Sequence, residues 1–129
     1  MQSHLPNDMS TEISKIQNLI QDELQLVERM LTNKNQSTVD LANSVSSHLI
    51  QSAGKRLRPM LVIFSALAVG YDDAENIHLD LACIIELIHS ATLLHDDVID
   101  NSSQRRHQKT AHLLWGNTAS ILSGDLLYA

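Results

Sequence analysis

The chain has 129 residues, 43% of them hydrophobic and 19% charged, with four glycines, two prolines and a formal net charge of −6. That length bounds it to one modest domain, and the composition excludes a collagen-like or disordered chain and argues against a turn-rich β protein. Four aromatics and a negative balance supply neither base-stacking platforms nor phosphate neutralisation, so nucleic acid is not expected as a partner.

The single cysteine, Cys83, lies in the apolar run LACIIELI. It reads as a core residue of a chain kept in a reducing compartment, here the cytoplasm. The N-terminus has neither the basic nor the apolar region of a secretory signal, and the longest nearly apolar run, Met60–Val69, is half a membrane span, so no transmembrane segment is expected.

In chain order, residues 1–9 read as a disordered N-terminus and 10–129 as one folded unit. From Ser10 to Leu31 the residues Ile13, Ile16, Ile20, Leu24, Val27 and Leu31 recur at three- and four-residue spacing and predict one helix. A polar connector at 32–36 leads to Ser37, whose spacing to Asp40 suits an N-terminal cap. Val39, Ala42, Val45 and Leu49 then line a second helix that Gly54 ends. Pro59 fits the first turn of a third, whose MLVIFSALAV is apolar on nearly every side and predicts a central, buried helix stopped by Gly70.

After a loop at 71–75, Ile77 to about Asp100 sustains a helical pattern on the order of 35 Å long. Residues 101–109 read as a polar loop, and 110–129 as helix, broken near Gly116. The closing SILSGDLLYA keeps its apolar helical pattern to the last residue. Too few amphipathic helices are present to cover one another, so an all-α bundle interrupted mid-fold is expected.

Two charge clusters run against the helix dipole, which favours anions at the N-terminus and cations at the C-terminus. Lys55, Arg56 and Arg58 crowd the start of the third helix, an arrangement that suits a docked phosphate; a solvated basic loop is the alternative. Asp96, Asp97 and Asp100 end the long helix, with Asp96 and Asp100 one turn apart on the same face. Carboxylates about 6 Å apart repel by roughly 2–3 kcal/mol at an effective dielectric near 20, which a divalent cation removes. Two aligned aspartates suit Mg²⁺ with waters and substrate phosphates, and a solvated acidic turn is again the alternative.

Arg105 and Arg106 follow closely, with His107 and Lys109 beside them. His89 lies two turns before Asp96 on nearly the same face, where a core histidine and a ligand are both readings. His95 directly precedes the aspartates. His4, His48, His78 and His112 show no ligand spacing.

GKRLRP (54–59), ELIHSATLLHDDVID (86–100), the Arg105-Arg106 pair, WGN and GDLL together resemble the trans-isoprenyl diphosphate synthases, in order and spacing across residues 10–129. The resemblance implies an all-helical fold around a central cavity, of which this chain would be the N-terminal portion. It implies a Mg²⁺-dependent prenyltransferase that joins isopentenyl diphosphate to an allylic diphosphate such as farnesyl diphosphate, commonly as a homodimer.

By that resemblance Asp96 and Asp100 would hold Mg²⁺ with Asp97 in support. Arg105 would contact the allylic diphosphate, and Lys55, Arg58, His89 and Arg106 would hold isopentenyl diphosphate. Small residues at Ala91 and Thr92, the fifth and fourth positions before the aspartates, would leave the cavity floor open, as in long-chain octaprenyl-type enzymes that make quinone side-chain precursors. His107 stands where the family usually has glycine. The second aspartate-rich motif is not in the chain, so the polypeptide alone is expected to be inactive or nearly so.

Three other functions compete. One is a non-catalytic subunit that binds a diphosphate. Another is a metal-dependent phosphohydrolase built on His95-Asp96, with His48 or His78 upstream and Asp125 downstream; it leaves GKRLRP, Asp97 and Asp100 without a role. A class I terpene cyclase shares the aspartate motif but needs no Lys55/Arg58 pair.

Overall fold

A computed structural model describes residues 7–34, 36–52, 54–72 and 74–129 of the chain. Among them run α1 (Asn7–Asn18), α2 (Gln21–Lys34), α3 (Asp40–Ser52), α4 (Leu57–Ala68), α5 (Ile77–Ile99), β1 (Gln104–Arg105), β2 (Gln108–Lys109), α6 (Ala111–Trp115) and α7 (Asn117–Tyr128). The all-helical expectation holds, with one small hairpin added.

The 23-residue α5 is the axis of the molecule. Its buried positions Leu79, Ala82, Cys83, Glu86, Ser90, Ala91, Leu94 and Asp97 form one continuous stripe at helical spacing. The N-terminal half of that stripe joins Ile20, Val27 and Leu31 of the α2 region and Met60 and Ile63 of α4 in one core. Leu94 joins Val45 and Leu49 of α3 and Ala111 of α6 in a second. Each fully buried aliphatic side chain contributes about 1.5–3 kcal/mol, so α5 is held at both ends. Its most apolar 18-residue window has a mean hydropathy of 1.6, long and apolar enough to cross a membrane on length and composition alone. Here it is the core helix, with Glu86 and Asp97 buried on its packed face.

Small residues set the contact between α5 and α7. Ser120, Ser123 and Gly124 are buried, and Ser120 Oγ donates to the Leu94 carbonyl at 3.3 Å. A Cβ on Gly124 would lie 2.4 Å from His95 Nε2, so only glycine lets that ring pack there.

Four sequence expectations change. The single helix over Ser10–Leu31 is two, because Leu19 and Ile20 bond back to Ile16 and Gln17 at three-residue spacing, a turn that buries Ile20 and leaves Leu19 76% exposed. Helix begins at Asn7, inside the stretch read as disordered, while residues 1–6, His4 among them, lie outside the described residues. The residue 101–109 loop contains an antiparallel hairpin pairing Gln104 with Lys109 and Arg105 with Gln108. Helix α4 is not central: it buries Pro59, Met60 and Ile63 on one face and leaves Leu61, and Val69 just after it, 67% and 81% exposed, because no element among the described residues covers the other.

The Ser37 turn works differently from a simple cap. Its hydroxyl accepts the Val39 N–H at 3.1 Å, while Asn43 takes the Ser37 N–H and donates back to the Ser37 carbonyl. The break at Gly116 (φ 89°) falls where the sequence places it.

Candidate functional site

The end of α3, the 54–58 segment, the middle of α5 and the hairpin enclose a cleft of about 310 Å³. Lys55, Arg58, His89, Arg105 and Arg106 all line it. The four residues assigned to isopentenyl diphosphate by resemblance are therefore brought together from three separate parts of the sequence. Among the described residues, Lys55, Arg58 and Arg106 have no carboxylate within ion-pair distance. Three uncompensated cations around one small cleft suit a polyanion.

Backbone geometry explains how they converge. Arg106 and His107 occupy the two central positions of the hairpin turn with φ of 50° and 66°, the pair of positive values a type I′ turn requires. Glycine is the usual residue there, and His107 holds the position without it. The turn throws the Arg106 guanidinium across Gly54, where an added Cβ would lie 1.7 Å from Nη1. Gly54 is thus a close-approach glycine, a role that its position after α3 does not reveal.

Arg56, grouped with the anion-binding cations in the sequence, has a different place. Its guanidinium donates from Nε and Nη2 to the Glu28 carboxylate, from Nη1 to Glu86 Oε1 at 3.0 Å, and from Nη2 to the Ile50 carbonyl at 3.2 Å. Burial works against its charge, and the hydrogen bond and charge of Glu28, then those of Glu86, more than offset it, raising its pKa above the ordinary arginine value. Glu86 is 5% exposed and, among the described residues, is the one carboxylate lining the cleft.

His89 is held below the usual histidine pKa, first by burial, then by Arg58, with Arg105 and Arg106 adding to it and Glu86 opposing. It lines the cleft, where burial and the neighbouring arginines disfavour its protonated form. Gln17 donates to the Lys55 carbonyl at 2.9 Å and anchors the loop from α1.

The three aspartates divide. Asp97 is 3% exposed and takes both Nε and Nη2 of Arg105, at 3.1 and 2.7 Å. That hydrogen bond is the main cause of the raised Arg105 pKa, with Asp96 and Asp100 adding their charge. Asp97 therefore orients an arginine. Asp96 and Asp100 stay exposed at the end of α5, with no hydrogen bond or ion pair to their carboxylates among the described residues. No group of three or more His, Cys, Asp or Glu able to hold a metal occurs among the described residues. Two aligned hard oxygen donors nevertheless fit a divalent cation that draws its other ligands from water and phosphate.

Ala91 has no exposed surface, whereas Thr92 is half-buried and donates its hydroxyl to the His89 carbonyl at 2.6 Å. The remaining histidines scatter. His48 bonds the Lys109 carbonyl at 2.8 Å and stands edge-on to Trp115, and His78 packs on Tyr71. His112 is buried with neither ring nitrogen hydrogen-bonded. His95 reaches the Ile121 carbonyl and lies 3.4 Å from Asp125. Of the phosphohydrolase set, only that last pair meets.

The sequence profile of the polyprenyl synthetase family matches residues 39–129. Octaprenyl diphosphate synthase of Escherichia coli K12 is 41% identical over 116 residues, covering 90% of this chain and 35% of that protein. The crystal structure of a decaprenyl diphosphate synthase from Rhodobacter capsulatus superposes with a TM-score of 0.85 at 41% identity, over 90% of this chain and 35% of the other. A polyprenyl synthase from Caulobacter crescentus CB15, complexed with calcium and isoprenyl diphosphate, superposes equally well at 40% identity and the same coverage. The chain thus spans about a third of the length of the relatives it matches. With the family profile covering the segment that holds the cationic cleft and the aspartates, this chain belongs to the polyprenyl synthetase family.

Proposed function

We propose that this chain carries the isopentenyl diphosphate cleft and the first carboxylate pair of a Mg²⁺-dependent trans-prenyltransferase. The whole enzyme would condense isopentenyl diphosphate with an allylic diphosphate such as farnesyl diphosphate. Its product would be a long-chain all-trans polyprenyl diphosphate, the kind of precursor that supplies quinone side chains. The observation that carries this is the convergence of Lys55, Arg58, His89 and Arg106 on one cleft without competing ion pairs.

In the proposed reaction the allylic C–O bond breaks, and its electron pair leaves with the diphosphate. The isopentenyl double bond attacks the resulting carbocation; a C–H bond next to the new cation then breaks, its electron pair forming the new double bond and its proton passing to the departing diphosphate. Mg²⁺ on Asp96 and Asp100 would supply charge neutralisation for that leaving group. Lys55, Arg58 and Arg106 fix the non-reacting diphosphate, and His89 donates a hydrogen bond from a ring N–H to one of its oxygens. Asp97 aims Arg105 toward the allylic diphosphate by occupying its Nε and one Nη2 hydrogen. Such preorganised charge is worth most where water is excluded.

Small residues at Ala91 and Thr92, together with the octaprenyl and decaprenyl enzymes among the relatives, support the long-chain product. The exposed apolar faces of α4 and α5, including Leu61, Val69, Ile77 and Leu81, support self-association as a homodimer or larger species. Sedimentation that finds a clean monomer would oppose it.

Incubation with radiolabelled isopentenyl diphosphate, farnesyl diphosphate and Mg²⁺ tests the activity, with Asp96→Ala in parallel. The 129-residue chain is expected to form no product while still binding isopentenyl diphosphate. Failure to bind that diphosphate would overturn the assignment of the cleft.

A further inference from the structure

Arg56 looks in sequence like one more phosphate ligand between Lys55 and Arg58. Its side chain is only 11% exposed, and four donor contacts, three to carboxylate oxygens and one to a carbonyl, already engage its guanidinium. An arginine has five N–H donors, so little remains for a ligand. From its position at the start of α4, those contacts reach three other elements at once: Glu28 on α2, Ile50 on α3 and Glu86 on α5. Its backbone sits in the left-handed region at φ 54°, ψ 38°, a conformation that surrounding contacts must enforce in a non-glycine residue.

We infer that Glu28, Arg56 and Glu86 form a positioning clamp that sets Lys55, Arg58 and His89 in register for diphosphate, with Glu28 acting on the cleft from outside it. The clamp rests on the proposed diphosphate cleft and adds to it residues that touch no ligand. Glu28 carries the distinguishing evidence. It is half exposed, does not line the cleft, and borders a separate depression that shares Gly54, Lys55 and Arg56 with the cleft. Glu86 lies one turn before His89, so the same guanidinium that fixes the loop also neutralises the acid beside the ring.

The sign of one substitution separates a clamp from plain electrostatics. Glu28→Gln removes a negative charge near an anion site, and charge alone would tighten diphosphate binding. A clamp predicts the reverse. Loss of the charged partner loosens Arg56, and the affinity of the full 129-residue chain for inorganic diphosphate falls about tenfold, as outer-shell substitutions at preorganised sites do.

Isothermal titration of inorganic diphosphate into wild type, Glu28→Gln and Arg56→Lys reads the effect, with far-UV circular dichroism confirming that each stays helical. Arg56→Lys keeps the charge, loses the fork, and is expected to weaken binding likewise. A shift of the His89 ring resonance in Glu28→Gln, without contact between the two residues, is the spectroscopic mark of the clamp. Unchanged or tighter binding in Glu28→Gln, with wild type binding normally, overturns the clamp alone. Absence of binding in wild type overturns the cleft assignment and the clamp with it.

Discussion

The cationic and acidic ends of the site differ in how far this chain completes them. Around the cleft, three of the four cations proposed to bind diphosphate have intrachain support: Gln17 holds the Lys55 carbonyl, Gly54 receives the Arg106 guanidinium, and Asp97 grips Arg105. At the end of α5, Asp96 and Asp100 stand exposed with no third metal-binding group among the described residues. One side is organised by its own fold, and the other offers two exposed carboxylates that, on the proposed reading, would hold a cation together with water, phosphate or further protein groups. The difference teaches that neighbouring aspartates in one motif can differ sharply in burial and partners.

The largest contrast to test lies inside that motif. Asp97→Asn removes a buried, charge-assisted partner of Arg105 and should cost about 2 kcal/mol of stability in urea unfolding. Asp96→Ala, at an exposed position, should change stability by less than about 0.5 kcal/mol. Equal losses in the two variants would erase the division between them.

Next in size, Gly54→Ala places a methyl where the Arg106 guanidinium rests. The long side chain can swing away, so the fold should survive while affinity for isopentenyl diphosphate drops about tenfold through loss of one charge-assisted contact. Affinity equal to wild type would show that Arg106 does not need that berth.

Smaller still is the pH response of His89. Its folded pKa lies below the ordinary 6.5, first because of burial and then because of Arg58. The unfolded chain therefore binds that proton more readily, and the stability contributed by the neutral ring is full above pH 6.5 and lost as pH falls toward the lower folded value. His89→Asn should flatten that part of the stability profile. Bound diphosphate would favour the charged ring, so proton uptake on binding below pH 6.5 should shrink in the same variant.

The least effect is expected at the hairpin tip. His107→Gly relieves a residue held at φ 66° but adds chain entropy to the unfolded state. A net gain of about 0.5 kcal/mol should appear as a slightly higher thermal midpoint, and a lower midpoint would mean that the imidazole makes a contact worth more than the strain.

Much of the fold was legible because α5 writes its buried stripe at helical spacing and because Gly116 marks its break in one residue. The break at Leu19–Ile20 was not, since the apolar spacing runs through it without a glycine or proline to signal the turn. The hairpin hid because its turn uses Arg106-His107 where glycine would have announced it. Within the site, the grouping of Lys55, Arg58, His89 and Arg106 came only from the family resemblance, because the spacing of His89 alone fits a core histidine as well as a ligand. The separate duties of Arg56 and Asp97 were not legible, because they depend on Glu28, Glu86 and Arg105 arriving from other parts of the chain. One local cue existed for the clamp: Glu86 is the lone acid in an otherwise apolar run of α5.

The most direct test is a calorimetric titration of isopentenyl diphosphate into the chain with EDTA present, comparing wild type, Asp96→Ala and the double variant Lys55→Ala/Arg58→Ala. A cleft completed by its own chain predicts binding without divalent metal, retained in Asp96→Ala and abolished in the double variant. Binding that requires Mg²⁺ and disappears in Asp96→Ala would contradict it.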